Sequence, residues 1–153
     1  MNIVKEPDKI LYCELKEVKE ITPEIKGLIS DMRDTMIEVH GVGLAANQVG
    51  IDMQIFVIDK NLANENSVPD AYINPEITEY GDDLGQIEEG CLSLPGYWAD
   101  VRRSKKIKFK AMDENGNKIR FKAKGFLARV LQHETDHLNG VLIKVRAKDG
   151  SYE

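Results

Sequence analysis

The sequence lacks the features of a secreted, membrane-bound or disulfide-stapled protein. Its first 18 residues, MNIVKEPDKILYCELKEV, contain no long apolar run, so we expect neither a secretory signal nor a transmembrane span. Only two cysteines occur, Cys13 and Cys91, which is too few for a disulfide framework and typical of a reducing compartment. These absences predict a cytoplasmic protein with no membrane partner.

A strong positive charge is also missing. The formal net charge is −5 and the isoelectric point is near 5.3. Lysine and arginine are scattered, apart from RRSKKIKFK at 102–110, which alternates like a strand and is interpreted as a solvated strand face. Because a phosphate backbone is met by a concentrated basic surface, we expect no nucleic-acid partner.

The amino-acid composition is typical of an ordinary globular domain. The chain has 153 residues, of which 42% are hydrophobic and 31% are charged. A chain of this length can bury a core without disulfide or metal staples. No internal repeat, low-complexity tract or linker is visible, so we predict one domain over residues 1–153.

Two segments have helical periodicity. In the first, Thr22 is a plausible N-cap and Pro23 the first helical residue, and Gly41 is expected to end the helix. Its apolar residues recur at helical spacing: Ile25, Leu28, Ile29, Met32, Met36 and Val39. The second segment, GFLARVLQHETDHLNG, ends at Asn139-Gly140 as a helix should. An N-terminal amphipathic helix and a second, central helix are therefore predicted.

The segments between the helices read mainly as strands. QIFVID at 54–59 has β-branched and aromatic content, and AYINPEITEY at 71–80 is predicted to be extended. The intervening NLANENSVPD at 61–70 is interpreted as a surface loop, and 81–96 as strand, turn and strand. Asn115-Gly116 between alternating runs indicates a hairpin. The predicted fold class is α+β, with antiparallel strands packed around the central helix.

The central helix carries an HExxH pattern. On a helix His133 and His137 are one turn apart and offset by about 40°, so both imidazoles can reach a common metal ion. They continue a row of apolar residues, Phe126 and Val130, that is predicted to face inward. Glu134 could reach a water molecule beside that metal and act as a general base. The alternatives are two hydrogen-bonded core histidines and an exposed, salt-bridging glutamate.

A third protein ligand must come from upstream of this helix. Cys91, in EEGCLSLPG, is the best candidate, whereas Cys13 is interpreted as a buried, inert thiol. A Cys-His-His set leaves a fourth coordination position open, which distinguishes a catalytic site from a structural one. The pattern points to hydrolysis.

Three motifs in this order resemble those of the peptide deformylases. They are GVGLAANQ at 41–48, EGCLS at 89–93 and QHETDHLNG at 132–140, and the resemblance extends from about Ile3, through INPEI at 73–77, to Val145. It implies that the metal ligands are Cys91, His133 and His137. It also implies that Glu134 is the general base and proton shuttle. The side-chain amide of Gln48 and the backbone N–H of Leu92 are implied to stabilise the developing oxyanion.

The resemblance also implies a substrate, the N-formyl-methionyl end of a newly synthesised polypeptide, which is cleaved to formate and a free amine. Gly41 and Gly43 would let the backbone approach the substrate closely, and main-chain groups near Val42 and Gly43 would pair with the peptide. Gly90, which can bring backbone and the Cys91 thiolate close to a small site, is also assigned to substrate binding. An apolar pocket for methionine would be lined by Val42, Ile87, Phe126 and Val130. Ordinary core packing is the alternative for each of these four residues.

The implied cofactor is one divalent metal ion. The family implies Fe²⁺ natively, although the ligand set alone would equally suit Zn²⁺, and purified protein is expected to accept Zn²⁺, Ni²⁺ or Co²⁺. The implied partners are nascent N-formylmethionyl polypeptides, with transient proximity to the ribosome, in a bacterial cytoplasm. We expect a monomer. Two rival functions are a metal-dependent amidohydrolase for another small acyl group and a noncatalytic peptide-binding relative.

Three features are particular to this sequence. Trp98 stands seven residues after Cys91, where some relatives carry arginine, so a substrate contact by that arginine is not carried over. Arg103 is available to pair with Glu89 and brace the EGCLS loop. The tail, VLIKVRAKDGSYE, is shorter than the C-terminal helix of many bacterial relatives, so ribosome docking through such a helix is not expected.

Overall fold

Over the described residues the fold combines four α-helices and two 3-10 helices, Lys9–Tyr12 and Ala46–Val49, with two antiparallel sheets. The computed structural model describes the backbone of residues 1–152 and the side chains of residues 1–147. The helices are α1 (Pro23–Glu38), α2 (Lys60–Glu65), α3 (Gly125–Leu138) and α4 (Ile143–Arg146). The strands are β1 (Gly43–Ala45), β2 (Ile55–Ile58), β3 (Ala71–Tyr80), β4 (Leu84–Cys91), β5 (Leu94–Ser104), β6 (Lys106–Met112), β7 (Lys118–Lys124) and β8 (Ala147–Tyr152).

The strands form one five-stranded and one three-stranded sheet. The larger sheet has the order β1-β2-β3-β6-β7 and the smaller one has the order β4-β5-β8. Every pairing in both sheets is antiparallel. Helix α3 contacts strands of both sheets, so residues on α3 can meet residues from either one. The predicted mixture of helices and antiparallel strands is confirmed.

Two hydrophobic clusters hold these layers together. The larger cluster joins α1, the five-stranded sheet and α3, and its aromatic centre is Phe56, Tyr72 and Phe109, whose ring centroids are 5.1–6.3 Å apart. The smaller cluster lies on the three-stranded sheet and contains Leu11, Leu94, Tyr97, Ala99, Val101, Leu142 and Ile143. Burial of apolar surface in both clusters drives the two sheets together around α3.

Helix α1 begins where the sequence predicts but ends earlier. The Thr22 hydroxyl accepts a hydrogen bond from the Ile25 N–H at 3.3 Å, and Pro23 is the first helical residue. The helix ends at Glu38, and the left-handed residue that follows is His40, with φ of 57°, rather than Gly41. The prediction that Gly41 ends the helix is therefore wrong by one residue, although the Gly41 N–H still donates to the Met36 carbonyl at 2.9 Å.

The prediction that 61–70 is a surface loop is wrong for its first half. Residues Lys60–Glu65 form the short helix α2. The Asp59 carboxylate caps it by accepting a hydrogen bond from the Leu62 N–H at 3.0 Å. Leu62 and Ala63 are buried against the larger cluster, and this tertiary contact stabilises a segment whose composition favours a loop.

The basic run at 102–110 is not one solvated strand face. Strand β5 ends at Ser104 and β6 begins at Lys106, so the run is divided between the two sheets. Arg103 is only 5% exposed because Glu89 and Asp136 supply buried carboxylate partners. The solvated interpretation is wrong for Arg103.

The predicted hairpin is formed by β6 and β7. The Asp113 carboxylate accepts hydrogen bonds from the N–H groups of Asn115 and Asn117, each at 2.9 Å, and Gly116 takes a positive φ of 84°. These contacts close the turn and set the register of the two strands.

No helix in the described part of the chain has the length and hydrophobicity that a bilayer crossing requires.

Candidate active site

Helix α3 and the end of β4 bring three metal-ligating side chains together. The Nε2 atoms of His133 and His137 are 3.2 Å apart, and the Cys91 Sγ lies 3.2 Å from the His137 Nε2. One ligand atom from each of the three residues lies within 4.8 Å of the others. The i, i+4 spacing on α3 accounts for the two histidines, whereas Cys91 lies at the end of β4 in the three-stranded sheet.

The spacing of these atoms suits one ion. A tetrahedral ion with the bond lengths typical of zinc holds two nitrogens about 3.3 Å apart and a nitrogen and a sulfur about 3.6 Å apart. The observed separations of 3.2 Å are close to both values. The donor set is therefore compatible with a single divalent cation held by three residues.

A tight turn between β4 and β5 positions Cys91. Cys91 pairs with Leu94, and the register shifts between Gly90 and Cys91. A side chain at Gly90 would place its Cβ 2.6 Å from the ring of Trp98, which packs directly over this glycine. A residue larger than glycine at position 90 would therefore displace the Trp98 ring from this position.

A buried ionic network fixes the orientation of His133. The Glu89 carboxylate lies 3.0 Å from the His133 Nδ1, so the ring's Nε2 is left to face the cluster. Arg103 binds the same carboxylate through Nε at 2.8 Å and Nη2 at 3.1 Å, and Arg129 contacts it as well. Arg103 also donates to Asp136 at 3.0 Å.

The sequence signal for this network was incomplete. The Arg103–Glu89 pair is observed as expected, but Arg129 and Asp136 were not identified. Arg129 stands four residues before His133 on α3, so helical spacing alone could have placed it on the same face.

The ionised groups in and around the cluster stabilise one another's charged forms. Burial disfavours the charged form of each group, but His137 and His133 together lower the pKa of the Cys91 thiol well below its usual value. Burial likewise opposes a charged His133, yet Glu134, Cys91 and Glu89 raise its pKa well above the ordinary value. Burial also opposes ionisation of Glu89, while His133 and Arg103 lower its pKa to about 2. The thiolate is the form that binds a metal.

Glu134 lies beside the cluster without joining it. It is 3% exposed, its Oε2 is 3.9 Å from the His133 Nε2, and burial raises its pKa. Among the described residues, its Oε1 has no hydrogen-bond partner. A Cβ at Gly43 would lie 2.6 Å from the Glu134 Oε2, so β1 passes directly over the carboxylate. A buried carboxylate with a raised pKa and a free oxygen suits proton transfer.

Gln48 is buried on the opposite side of the cluster. Its Nε2 donates to the Ser93 hydroxyl at 3.2 Å and lies 3.7 Å from the Cys91 Sγ, and its Oε1 accepts from the Ala45 N–H at 3.0 Å. These contacts point the amide N–H group towards the Cys91 thiol. Asn47 donates to the His137 carbonyl at 2.6 Å. Ser93 and Asn47 were not identified from the sequence, since only long-range packing brings them here.

A cavity of about 510 Å³ opens over these residues. The predicted residues that line it are Val42, Gly43, Gln48, Ile87, Gly90, Cys91, Leu92, Phe126, Val130, His133 and Glu134. His40 and Trp98 also line it, although neither was predicted to do so. All but one of the predicted site residues therefore line a single cleft, and the remaining one, His137, is buried beneath it in contact with Cys91 and His133.

The exposure of two predicted residues differs from expectation. Phe126 is 55% exposed at the rim of the cleft, so the prediction that it faces inward is wrong, whereas Val130 is buried. Its neighbour Leu127 is already buried in the core, so Phe126 lies on the side of the first turn of α3 that lines the cleft. Cys13 is also exposed, which corrects its interpretation as a buried thiol, and it donates to the Lys9 carbonyl at 3.2 Å.

The fold and this site together define a hydrolase with a candidate metal centre, built from a Cys-His-His cluster and a buried glutamate. The polypeptide deformylase family model matches residues 1–151, and the chain belongs to this family. It is an enzyme that removes the N-formyl group from nascent polypeptides.

Individual relatives are similar over nearly the whole chain. A peptide deformylase of Dictyoglomus turgidum is 48% identical over 151 residues, which cover 99% of this chain and 95% of that protein. The crystal structure of a peptide deformylase from Thermotoga maritima has a TM-score of 0.89 at 41% identity and covers 97% of both chains. That of the Synechococcus elongatus enzyme in complex with actinonin has a TM-score of 0.91 at 43% identity, over 97% of this chain and 81% of that one.

Proposed function

We propose that Cys91, His133 and His137 hold the catalytic metal ion and that Glu134 is the general base of the deformylation reaction. The observation that carries this proposal is the cluster of three ligand atoms within 4.8 Å of one another, next to a buried carboxylate with a free oxygen. A structural metal site has no use for such a carboxylate. This observation favours catalysis over a noncatalytic, peptide-binding role.

The proposed reaction is hydrolysis of the formyl amide. A bound divalent cation supplies Lewis-acid polarisation of the formyl carbonyl and makes water more acidic. Glu134 takes a proton from the attacking water as its oxygen bonds to the formyl carbon. The carbon–nitrogen bond then breaks, and Glu134 returns the proton to the leaving nitrogen. Formate and a free amino terminus are the products.

Gln48 and Leu92 would stabilise the charge that develops on the formyl oxygen. The Gln48 amide is buried and directed towards Cys91, so its N–H can donate without competition from water. The backbone N–H of Leu92 follows Cys91 in the tight turn and is the second proposed donor. Both groups are held by the fold before substrate binds, which lowers the cost of reorganisation.

The peptide would lie along the cleft. The main chain at Val42 and Gly43 would pair with the substrate backbone, and Gly90 would allow close approach on the opposite side. The methionine side chain would contact an apolar wall made of Val42, Ile87, Phe126 and Val130, all of which line the same cavity. Three of them are exposed at the rim, where a substrate could cover them.

The proposed native metal is Fe²⁺, with Zn²⁺, Ni²⁺ or Co²⁺ as substitutes in purified protein. Imidazole and thiolate ligands accept all four ions. A ferrous ion bound to the Cys91 thiolate would make the enzyme sensitive to oxygen, because both the ion and the sulfur can be oxidised.

The proposed setting is a bacterial cytoplasm, where nascent formylmethionyl chains emerge close to the ribosome. The Dictyoglomus turgidum and Pseudomonas aeruginosa relatives, 48% and 43% identical, support a bacterial origin. We also propose that the enzyme acts as a monomer and that residues 1–153 form one catalytic domain. Residue 153 lies outside the described residues.

Formate release from a formyl-Met-Ala-Ser peptide tests the roles assigned here. Protein prepared without oxygen and loaded with iron or nickel should turn over, and Glu134→Ala should lose about 10²- to 10⁴-fold in rate while retaining its metal. Glu38→Ala, which removes an exposed glutamate at the end of α1, is the matched control and should remain fully active. Retained activity in Glu134→Ala would contradict the assignment.

A panel of acyl groups tests the substrate. Acetyl- and longer acyl-methionyl peptides should react far more slowly than the formyl peptide, because formyl is the smallest acyl group and the metal cluster is enclosed by Gly43 and Gln48. Equal rates on acetyl substrates would instead favour an amidohydrolase of broader specificity.

A further inference from the structure

The hairpin of β6 and β7 carries all of its positive charge on one side. Its strand register places Lys106 opposite Lys124, Lys108 opposite Lys122 and Lys110 opposite Arg120. The alternate residues point into the core, where the rings of Phe109 and Phe121 are 5.3 Å apart. Together with Lys118, the seven outward cations form a continuous surface, here called the basic face: Lys106, Lys108, Lys110, Lys118, Arg120, Lys122 and Lys124.

Most of this charge is not neutralised by neighbours. Lys108 pairs with Glu79 at 2.8 Å and Lys110 pairs with Glu76 at 3.1 Å, both across the β3–β6 boundary. Within the part of the chain whose side chains are described, the other five cations of the basic face make no ion pair: Lys106, Lys118, Arg120, Lys122 and Lys124. The positive charge therefore concentrates towards β7.

The basic face contrasts with the rest of the molecule. Residues 105–124 contain eight of the 21 lysines and arginines but only two of the 26 aspartates and glutamates. One of those two, Glu114, is already paired with Arg33 at 2.6 Å. A chain with a net charge of −5 thus concentrates seven of its 21 lysines and arginines on the β6–β7 hairpin. The sequence analysis excepted only the run at 102–110 from its scattered cations, and the fold places the four cations of β7 beside that run.

Protection of a sheet edge accounts for only part of this pattern. Strand β7 is an edge strand, and lysines on an edge discourage pairing with other chains. Strand β6 is internal, however, and its three lysines stand directly opposite other cations. Like charges opposite each other cost stability, and a mixture of both signs would protect the edge equally well. Three opposed like-charge pairs indicate a function that depends on the sign of the charge.

We propose that the basic face binds the phosphate backbone of RNA. Lysine binds phosphate as a point charge, and successive outward residues on a strand are about 6.7 Å apart, so the ribbon presents two parallel rows of cations to a polyanion. The outward positions of the hairpin hold no aromatic side chain on which bases could stack, so the contact is to the backbone and independent of sequence. RNA is also the polyanion found next to nascent polypeptides, the substrates of this enzyme.

The basic face adjoins the active-site cleft. Strand β7 ends at Lys124 and α3 begins at Gly125, so the charged ribbon continues into the helix that carries Phe126 at the cleft rim. RNA bound along the ribbon would therefore lie beside the mouth of the cleft without occupying it. Turnover of a short peptide should not depend on the basic face.

Direct binding of RNA by the full chain tests the proposal. The probe is a fluorescent RNA duplex of about 20 base pairs, long enough to span the ribbon, measured by anisotropy at salt concentrations from 25 to 200 mM. The test variant is K118Q/R120Q/K122Q/K124Q. The matched control is K5Q/K19Q/K26Q/K60Q. It removes the same number of charges from exposed lysines that lie outside the basic face and make no described ion pair.

The unmodified protein should bind the duplex with a dissociation constant of about 10⁻⁴ to 10⁻⁶ M near physiological salt, as for nonspecific backbone contacts. The test variant should bind at least about tenfold more weakly. In a plot of log affinity against log salt concentration, its slope should be smaller in magnitude by about three to four. The control should change affinity by less than about threefold. Both variants should release formate from formyl-Met-Ala-Ser at the unmodified rate, which shows that they fold and separates this proposal from the assigned catalytic roles.

Three results would overturn the proposal. They are no RNA binding at 25 mM salt, equal losses in the test and control variants, and binding to phosphatidylglycerol vesicles but not to RNA. The last result would assign the basic face to an anionic lipid surface. A second variant, K122E, guards against an effect peculiar to the fourfold change, and it should weaken RNA binding more than K60E does.

Discussion

At the scale of single residues, the site depends on how closely β1 passes over α3. The backbone of Gly43 is so near the Glu134 carboxylate that a Cβ would lie 2.6 Å from Oε2. Glycine is needed here for its lack of a side chain, since its φ is not among the positive values in the chain. The close approach keeps water from Glu134 and so maintains its raised pKa.

Gly43→Ala should therefore reduce activity. The new methyl group has to displace the carboxylate, and a displacement of about 1 Å at a catalytic group can cost about 100-fold in rate. The measurement is kcat/KM on a formyl-Met peptide. Gly27→Ala, in α1, is the control because no atom lies within 4 Å of its added Cβ, and it should leave kcat/KM unchanged and raise the melting temperature slightly. Equal activity in both variants would show that Glu134 tolerates the displacement.

Arg103 illustrates a residue that acts through others. It joins Glu89, which orients His133, to Asp136 on α3. Arg103→Ala would remove one cationic partner from two buried carboxylates that keep another, Arg129 for Glu89 and Arg146 for Asp136, so the free energy of unfolding should fall by about 1.5–3 kcal/mol. Metal affinity should fall by about 10- to 100-fold, as for other groups that orient metal-binding histidines.

The measurements for Arg103 are urea denaturation and competitive metal titration. The adjacent Arg102 is exposed and provides the control, since Arg102→Ala should change both quantities little. If Arg103→Ala kept full metal affinity and activity, the proposed bracing of the EGCLS loop would be refuted.

At the scale of secondary-structure elements, the candidate metal centre forms where the β4–β5 hairpin and helix α3 come together. The β4–β5 turn presents Cys91, and α3 presents His133 and His137 on successive turns. Local sequence predicts both elements because turn residues and helical periodicity are short-range signals. Helix α2 was missed, since its six residues depend on the Asp59 cap and on burial of Leu62.

Helix α1 offers a test of capping at this scale. Thr22→Ala removes the acceptor for the Ile25 N–H and should lower the free energy of unfolding by about 1 kcal/mol. Thr22→Ser keeps a hydroxyl and should lose much less. Urea denaturation distinguishes the two variants, and equal losses would mean that packing of the threonine methyl group, rather than capping, stabilises the start of α1.

At the scale of the whole molecule, the candidate metal centre joins the two sheets. Cys91 belongs to the three-stranded sheet, whereas α3 packs mainly against the five-stranded one. An ion held by Cys91, His133 and His137 would therefore stabilise the assembly of the two halves as well as the site, because it binds only the folded state.

Metal removal should lower the melting temperature. At a free metal concentration of 100 times the dissociation constant, binding stabilises a protein by about 2.7 kcal/mol, or about 5–10 °C for a chain of this size. The measurement is thermal unfolding with Ni²⁺ and after chelation. His133→Ala removes one ligand and should show a much smaller metal-dependent shift. A shift of the same size in both proteins would place the stabilising ion elsewhere.

The sequence by itself determined the chemistry and the local elements. HExxH on a periodic segment predicts a pair of ligands and a base because helical spacing fixes their geometry, and the three motifs are specific enough to identify the family. Capping residues and turn residues likewise influence the backbone over only a few positions. The helices α1 and α3 and the β6–β7 hairpin could therefore be predicted from residues that are neighbours in the sequence.

Only the tertiary structure decided which distant residues share a surface. The Glu89–Arg129 contact and the exposure of Phe126 both depend on how the two sheets meet around α3. The basic face is an intermediate case: the local Asn115-Gly116 turn sets the register of β6 and β7, whereas burial of their alternate residues decides that the cations face outward. Contacts between residues far apart in the chain are set by burial and packing of the whole fold, and no local pattern encodes them.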